Sequence, residues 1–202
     1  FDLDDKIAGA VRALAAERRA TPFMVLAAAL QALLARYTGR DDIPIGTPVS
    51  ARPDPSLEAT VGLFLNTLVL RGDLSGDPGF GELVERTRER VLDAHDHAEL
   101  PFEMLVRELA EERDLSRNPL FQVMLAYQNV PPAPAESAGV RLRTLDVDPG
   151  VTQADLHLVI EESGGALTAV LHYATDIFDH DRMERFADHL RAFLARAVAA
   201  PA

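Results

Sequence analysis

The spacing of hydrophobic positions predicts five helices along the chain. In most of them apolar residues recur every three to four positions, which leaves one apolar stripe and one charged face. The second helix is apolar nearly all round, so we expect it to be buried, with Thr21 as N-cap, Pro22 at its first position and Gly39 after its end. In the fourth helix the stripe that is predicted to face inward consists of Phe102, Leu105, Val106 and Leu109. The predicted helices cover residues 3–19, 23–37, 80–97, 101–111 and 178–199.

Between the helices, alternation with a period of two predicts six strands. Helices and strands that alternate in this way predict an α/β fold with a mixed sheet and flanking helices. In the strand at 121–127 the odd-numbered and the even-numbered residues are both largely apolar, so we expect the strand to be central and covered on both faces. Gly164-Gly165 suits a type I′ turn, and the hairpin around it places His157 opposite His172. The predicted strands cover residues 43–50, 63–70, 121–127, 140–147, 156–162 and 166–173.

Length and composition narrow the class of protein. The 202 residues fit one domain or one lobe of a larger domain, and a hydrophobic share of 48% is enough for a real core. The net charge of -12 disfavours a nucleic-acid partner, and no apolar run is long enough to predict a membrane span. The absence of cysteine excludes disulfides and thiolate metal sites and is compatible with the cytoplasm, the location we expect. The first residue is Phe1 rather than Met, so we expect the chain to be part of a longer polypeptide.

The sequence shows no self-contained catalytic set. The GxSxG, HExxH, Walker-type and dinucleotide-type GxGxxG patterns are all missing, so we predict no catalytic residue within this chain. His157 and His172 could face each other, but metal sites of that kind need three or four ligands, and we expect no metal here. His97 is the last residue of the third predicted helix, where its charge suits the negative end of the helix dipole, so we predict a capping role.

Four segments carry a pattern that is more specific than any single motif. Residues 41–52 read DDIPIGTPVSAR, and residues 61–71 read VGLFLNTLVLR. Residues 97–103 read HAELPFE, and residues 113–129 read RDLSRNPLFQVMLAYQN. In the last of these segments Asp114, Ser116 and Asn118 are predicted to form turns by hydrogen bonding to local backbone groups. In this order and spacing the four segments resemble the C-terminal half of the condensation domains of nonribosomal peptide synthetases. The HHxxxDG motif that carries the catalytic histidine of that family belongs to its N-terminal half, and no two histidines are adjacent in this chain.

The resemblance implies that residues 1–202 form the C-terminal lobe of a condensation domain, with a fold like one lobe of chloramphenicol acetyltransferase. Such domains join a donor acyl or peptidyl thioester to the amine of an acceptor aminoacyl thioester. Both substrates ride on the phosphopantetheine arms of carrier proteins and meet in a tunnel between two lobes. The implied partners are the N-terminal lobe, the upstream and downstream carrier proteins and the adjacent adenylation domain. No cofactor is expected to bind this lobe directly, and the lobe alone is expected to be inactive.

Three residues are marked by the resemblance as candidates for the wall of the tunnel, namely Ser50, Asn66 and His97. From the residues alone, Ser50 would be a turn hydroxyl, Asn66 a hydrogen-bonded polar residue in a strand, and His97 a cap. Both interpretations of Asn66 agree that a polar group in an apolar strand needs partners or a cavity.

The resemblance also predicts how this lobe would meet the other one. The Pro-rich segment at 129–139 is expected to cross towards the N-terminal lobe. Around Ser50, residues 63–67 and residues 130–134, we expect exposed apolar residues that the other lobe would cover. Two other interpretations remain: a lobe of an epimerisation or cyclisation domain, and a non-catalytic docking platform. The motif that would decide between them lies in the other half of the family.

Overall fold

The computed structural model describes residues 1–50, 52, 54–109, 117–129, 136–137, 139–141, 147 and 150–201. The predicted turn roles of Asp114 and Ser116, most of the crossing segment and residues 142–146 of one predicted strand lie outside these ranges. The described strands are β1 (Asp2–Leu3), β2 (Asp42–Ser50), β3 (Leu65–Asp73), β4 (Val123–Gln128), β5 (Glu136–Ser137), β6 (Val140–Arg141), β7 (Leu156–Ser163) and β8 (Ala166–Tyr173). The described α-helices are α1 (Asp5–Glu17), α2 (Pro22–Thr38), α3 (Phe80–Asp96), α4 (Phe102–Leu109) and α5 (His180–Ala197), and Pro55–Leu57 forms a 3-10 turn.

Six strands form one mixed sheet in the order β1-β8-β7-β4-β2-β3, and β5 and β6 form a separate antiparallel pair. The central strand β4 runs parallel to both of its neighbours, β2 and β7, while the other pairs are antiparallel. This position explains why β4 carries apolar residues on both of its faces, because parallel strands are usually covered on both faces. The structure confirms the predicted α/β fold with a mixed six-stranded sheet and flanking helices.

One strand of the six-stranded sheet, β1, is not among the predicted strands, and the hydrophobic spacing assigns its residue Leu3 to a helix. Leu3 does not lie in that helix; it pairs with Leu167 and is 2% exposed. The helix begins later because the side chain of Asp4 caps it, accepting a hydrogen bond of 2.8 Å from the N–H of Ile7. Of the strand predicted over 140–147, Val140–Arg141 forms β6, which is not part of the main sheet.

The buried helix α2 has the predicted ends. The Oγ1 of Thr21 accepts a hydrogen bond of 3.3 Å from the N–H of Met24, and Pro22 occupies the first turn. Gly39 ends the helix in the left-handed conformation, with φ of 67°, which a residue without a Cβ adopts at little cost. Local sequence signals therefore set both boundaries of this helix.

A polar side chain also ties α2 to the sheet. Gln31 is 1% exposed, and its Nε2 donates to the carbonyl oxygens of Ile43 and Leu70, both at 3.1 Å. A Cβ at Gly72 would lie 2.5 Å from the Cδ of Gln31, so the glycine leaves the space that this amide occupies. The buried amide thus links α2 to both β2 and β3.

The two faces of the sheet are packed differently. Met124 and Leu125 are neighbours on β4, so their side chains point to opposite faces. Leu125 belongs to a large core that includes buried residues of α1, α2, α3 and α5. Met124 packs with Phe121 in a smaller cluster, and Phe102 at the start of α4 packs against it. Between α3 and α4 the chain therefore passes around the edge strand β3, from one face of the sheet to the other.

The hairpin of β7 and β8 has the predicted turn and register. Gly164 and Gly165 have φ values of 58° and 90°, and a type I′ turn requires positive φ at both central residues. His157 pairs with His172, as the alternation of apolar residues predicts.

Among the described residues, no single helix combines the length and the apolar composition needed to cross a membrane. The helices α1 and α2 reach that requirement only when they are taken together across a bend of 106°. Most of α2 is buried inside the protein, and core helices commonly have this composition.

Candidate functional site

The four segments that resemble the condensation domains meet at one corner of the sheet, which we call the motif corner. Ser50 at the end of β2 pairs with Leu65 at the start of β3, so the first two segments are adjacent. The turn between α3 and α4 contacts the start of β3, and the loop before β4 reaches β2 at Gly46. The motif corner is defined by Gly46, Arg52, Phe64, Asn66, residues 97–102, Asn118 and Phe121.

Asn66 connects two of these segments through its side-chain amide. Its Nδ2 donates to the carbonyl oxygens of Ala98 at 2.9 Å and Leu100 at 2.8 Å. Its Oδ1 accepts from the N–H of Phe102 at 3.1 Å and from the N–H of Thr67 at 2.8 Å. Both amide protons and both acceptor positions are therefore used. This confirms the prediction that Asn66 is a hydrogen-bonded polar residue in a strand.

The helix α4 that follows this turn is more exposed than its pattern predicts. The predicted inward stripe includes Phe102 and Leu109, but no residue of α4 is buried and Leu109 is 60% exposed. Met104 is 42% exposed. The prediction is wrong for Leu109, whereas Phe102 packs against the cluster of Phe121 and Met124, and Leu105 and Val106 are half-buried. Spacing decides which side chains share a face of a helix, and packing decides how far another element covers that face.

Arg52 holds the loop that joins β2 to β3. Its Nη1 donates to the carbonyl oxygen of Leu57 and lies 3.3 Å from that of Glu58 and 3.0 Å from that of Thr60. Its Cζ lies 4.2 Å from the ring centre of Phe64, within the range of a cation–π interaction. A single guanidinium thus connects the first segment to the loop and to the second segment.

Phe121 joins the last segment to the other three. Its ring, in a residue only 1% exposed, lies 2.4 Å from where a Cβ at Gly46 would be, so it packs directly on the backbone of β2. Its ring centre is 5.7 Å from that of Phe102. The Oδ1 of Asn118 accepts from the N–H groups of Leu120 at 3.1 Å and Phe121 at 3.3 Å, which confirms the predicted turn role of Asn118.

The three predicted site residues lie at or next to the motif corner. Ser50 is exposed and is one ladder position away from Asn66, which pairs with Val49. His97 is exposed and is the C-cap of α3, and its Nδ1 lies 2.8 Å from the carbonyl oxygen of Asp93. The predicted capping role of His97 is confirmed. The turn that begins at His97 is the one that Asn66 holds.

Sequence reasoning missed four residues that build this corner, Arg52, Phe64, Phe102 and Phe121. Each of these residues lies within one of the four segments, so the segments themselves contained the signal for them. Spacing within one segment cannot show that its letters contact another segment, since that depends on the path of the chain.

The opposed histidines lie on β7 and β8, and His157 pairs with Met124 of β4, which in turn pairs with Gly46 of the motif corner. The ring centres of His157 and His172 are 6.0 Å apart. Burial of His157 lowers its pKa, and the charge of His172 lowers it further, so two protonated rings are disfavoured here. Within the described ranges, no three His, Asp or Glu side chains come together in a way that could hold a metal ion. That no metal binds this chain stays a prediction.

The chemistry of the motif corner is that of positioning. Its polar contacts are hydrogen bonds to backbone groups and one cation–π contact, and its apolar contacts are aromatic rings against backbone and each other. The Asn, Arg, Phe and Gly side chains that make these contacts provide neither a strong nucleophile nor a general base at neutral pH. The corner also contains His97, whose Nδ1 lies 2.8 Å from the carbonyl oxygen of Asp93, and the exposed Glu99. The corner therefore fixes loops and the start of α4 relative to the sheet.

The structure defines the class as an α/β protein with a mixed six-stranded sheet and flanking helices. The comparison with known proteins gives the family. The family model described as the condensation domain matches residues 1–202. The chain belongs to the condensation-domain family. This confirms the resemblance carried by the four segments.

The curated relatives are nonribosomal peptide synthetases. One subunit of the linear gramicidin synthase of Brevibacillus parabrevis is 44% identical over 201 residues, which cover 98% of this chain and 4% of that protein. The dimodular nonribosomal peptide synthase of Bacillus subtilis (strain 168) is 40% identical over 211 residues, which cover 100% of this chain and 9% of that protein. The chain thus spans only a small part of these relatives.

Solved structures share the fold over the whole chain. The condensation domain from the monacolin K polyketide synthase MokA has a TM-score of 0.89 at 24% identity, with 100% of this chain and 47% of that chain covered. The SgcC5 protein from Streptomyces globisporus has a TM-score of 0.84 at 31% identity, with 100% and 47% covered. The chain spans less than half of either structure.

Proposed function

We propose that this chain is the C-terminal lobe of a condensation domain that forms amide bonds between carrier-bound substrates. The observation that carries the proposal is the length of the match. All of residues 1–202 match the family, yet they cover only 47% of a solved condensation domain. The histidine pair of HHxxxDG is absent from these residues. A lobe that supplies one wall of a two-lobed tunnel, while the other lobe supplies the catalytic histidine, accounts for both facts.

Exposed apolar residues beside the motif corner support the proposal that another lobe covers this surface. Val61 is 99% exposed and Leu63 is 88% exposed, and Leu65, which pairs with the exposed Ser50, is 66% exposed. This confirms the predicted exposure around Ser50 and residues 63–67, while residues 130–134 lie outside the described ranges. Clustered apolar exposure is unusual for a surface that faces only water, and it suits a surface that another lobe covers.

In the proposed reaction, the amine nitrogen of the acceptor attacks the thioester carbon of the donor. A C–N bond forms, the C–S bond breaks, and the proton lost by the nitrogen ends on the released phosphopantetheine thiol. This lobe would contribute the tunnel wall around Ser50, Asn66 and His97 and a docking surface for a carrier protein. Its proposed partners are the N-terminal lobe, the upstream and downstream carriers and the adjacent adenylation domain. Phosphopantetheine would arrive on the carriers and would not be a resident cofactor.

The test begins with roughly 200 residues before Phe1 in the parent polypeptide, the length of one further domain-sized lobe. We expect an HHxxxDG motif there. In the whole domain with loaded carriers, replacing its catalytic histidine by alanine should lower amide formation by about 10²–10⁴-fold, the usual contribution of a general base. Product would be measured by mass spectrometry of the acceptor carrier.

A matched histidine replacement serves as the control. His189 is exposed on α5, which packs against α2 and β8, so His189→Ala should leave amide formation unchanged. If the preceding residues lack the motif and the domain forms no amide, the docking platform replaces the proposal. If they carry a paired-Asp variant, the chain belongs to a cyclising relative.

A further inference from the structure

Asn66 lies where the chain passes from one face of the sheet to the other. Its amide joins β3 to two carbonyl groups that follow α3, those of Ala98 and Leu100, and to the N–H of Phe102 that begins α4. A helix leaves its first N–H groups and its last C=O groups without partners inside the helix. One side chain of a neighbouring strand therefore satisfies backbone groups at the junction of two helices.

Packing holds α4 only in part, because Phe102, Leu105 and Val106 are half-buried among the described residues. None of its residues is buried, and its aromatic anchor is Phe102, 5.7 Å from Phe121 between ring centres. A helix of 8 residues is marginal in water without tertiary support. The direction of α4 relative to β3 therefore depends on the hydrogen bonds of Asn66 together with the packing of Phe102.

The helix held in this way carries apolar side chains that remain uncovered. Met104 is 42% exposed and Leu109 is 60% exposed, and the neighbouring Leu65 on β3 is 66% exposed. Leu65, Phe102 and the turn between α3 and α4 line one surface groove. Because a solved condensation domain has more than twice the length that this chain covers, the occupant that fits this surface is the remaining part of the same domain.

We propose that Asn66 is a positioning residue that sets the direction of α4, so that α4 presents its exposed apolar side chains to the other half of the condensation domain. Asn66 acts through the backbone that it holds and touches no substrate in this role. The proposal rests on the function proposed above and deepens it, because it names the helix at the contact between the halves and the residue that orients this helix.

The experiment uses the whole condensation domain and the variant Asn66→Asp. The carboxylate keeps an acceptor for Thr67 and Phe102 but turns an oxygen, in place of the donating Nδ2, towards the carbonyl groups of Ala98 and Leu100. Because two hydrogen bonds are lost and like dipoles face each other, amide hydrogen exchange over residues 98–105 should accelerate by at least about tenfold. Exchange in β2 and β7 should stay unchanged, which shows that the domain remains folded.

Steady-state kinetics provides a readout that a general loss of stability would not produce. Per folded molecule, turnover in amide formation should fall by about tenfold, whereas the KM for the carrier-bound acceptor should change by less than about twofold. This split is expected because backbone groups use both donors and both acceptor positions of the Asn66 amide, which leaves none to bind the acceptor.

Asn118→Asp is the matched control, with the same chemical change in the same corner. The described hydrogen bonds of the Asn118 side chain use only Oδ1, which accepts from Leu120 and Phe121, and a carboxylate keeps both. Exchange over residues 98–105 should therefore stay within about twofold of the parent domain in this variant.

Unchanged exchange in Asn66→Asp would show that Asn66 does not hold α4 and would overturn the proposal. Faster exchange with full turnover would show that the direction of α4 does not matter to the other half, which would also overturn it. A parent domain that forms no amide would contradict the proposed function instead, and the exchange result would still decide whether Asn66 holds α4.

Discussion

Two glycines of the sheet leave space that large side chains fill. A Cβ at Gly46 would lie 2.4 Å from the ring of Phe121, and a Cβ at Gly72 would lie 2.5 Å from the Cδ of Gln31. Both distances are far below ordinary van der Waals contact, so the neighbouring side chains could not keep their positions. The small size of these residues is a requirement of packing, since neither glycine has a positive φ.

For Gly72→Ala we expect a loss of about 1–3 kcal/mol in the free energy of unfolding, the usual cost of overpacking a core. The buried amide of Gln31 would have to leave its two carbonyl partners or push β3 away from α2. Urea denaturation of the purified protein measures this loss.

Gly9→Ala is the matched comparison, because Gly9 lies within α1 and has no atom within 4 Å of where its Cβ would be. Alanine is the better helix former, so this change should stabilise the protein by about 0.5–1 kcal/mol. Equal effects of the two substitutions would contradict the role given to Gly72.

Three elements are joined by one polar network on the helix side of the sheet. Glu162 on β7 accepts from the Nη2 of Arg12 on α1 at 2.8 Å and from the hydroxyl of Tyr127 on β4. Arg12 also donates to the carbonyl oxygen of Gly165 at 2.6 Å. The hydrogen bond from Tyr127 and then the contacts with Arg12 lower the pKa of Glu162. The network therefore fastens α1 to the hairpin and to β4.

This network makes stability depend on pH in a defined direction. Because the pKa of Glu162 is lower in the folded state, its contribution is complete above the unfolded value of about 4.3 and is lost as pH falls through the folded value. Tyr127→Phe removes the hydrogen bond that is the largest cause of the lowered pKa of Glu162. The free energy of unfolding should therefore decrease less steeply below about pH 5 than in the parent protein. Denaturant unfolding at a series of pH values measures the slope.

Tyr37→Phe is the control for that slope. The hydroxyl of Tyr37 contacts the Nδ1 of His189 at 2.7 Å and no carboxylate among the described hydrogen bonds. Its removal should leave the slope below about pH 5 as it is in the parent protein. A parent-like slope in Tyr127→Phe would mean that the hydroxyl does not hold the pKa of Glu162 down.

At the scale of the whole molecule, exposed apolar residues gather beside one edge of the sheet. Val61 and Leu63, 99% and 88% exposed, precede β3, which is the edge strand. The isolated lobe would present these side chains to water, whereas the proposed two-lobed domain would cover them. Burying such a side chain stabilises a protein by about 1.5–3 kcal/mol, so the difference is measurable.

In the whole condensation domain, Leu63→Asp should therefore lower the free energy of unfolding by about 1.5–3 kcal/mol. Ile177→Asp is the comparison, because Ile177 is 56% exposed and lies between β8 and α5, far from the edge strand β3 in the strand order. A surface change of that kind should stay within about 0.5 kcal/mol. Thermal or urea unfolding compares the two, and a negligible effect of Leu63→Asp would mean that no second lobe covers it.

Local signals account for the parts of the fold that sequence predicts well. Thr21 and Gly39 bound α2 because capping and a left-handed stop involve only neighbouring residues. Gly164 and Gly165 fix the turn, and the turn fixes the register that opposes His157 and His172 in the same hairpin.

Long-range contacts account for the parts that sequence misses. Leu3 fits a helical stripe, yet it becomes an edge strand because β8 offers it unpaired backbone groups. Leu109 fits the same kind of stripe, yet nothing in the described residues buries it. Neither outcome is contained in the period of the pattern, since both depend on which element lies nearby.

The sequence by itself determined the family, the α/β class, the order of most helices and strands and the residues of the four segments, because these follow from local spacing and residue chemistry. Only the tertiary structure decided that the segments form one corner, with Asn66 holding the turn before α4 and Phe121 resting on Gly46. The physical reason is that a hydrogen bond or an aromatic contact between distant segments depends on the path of the backbone. That path is set by the packing of the whole core.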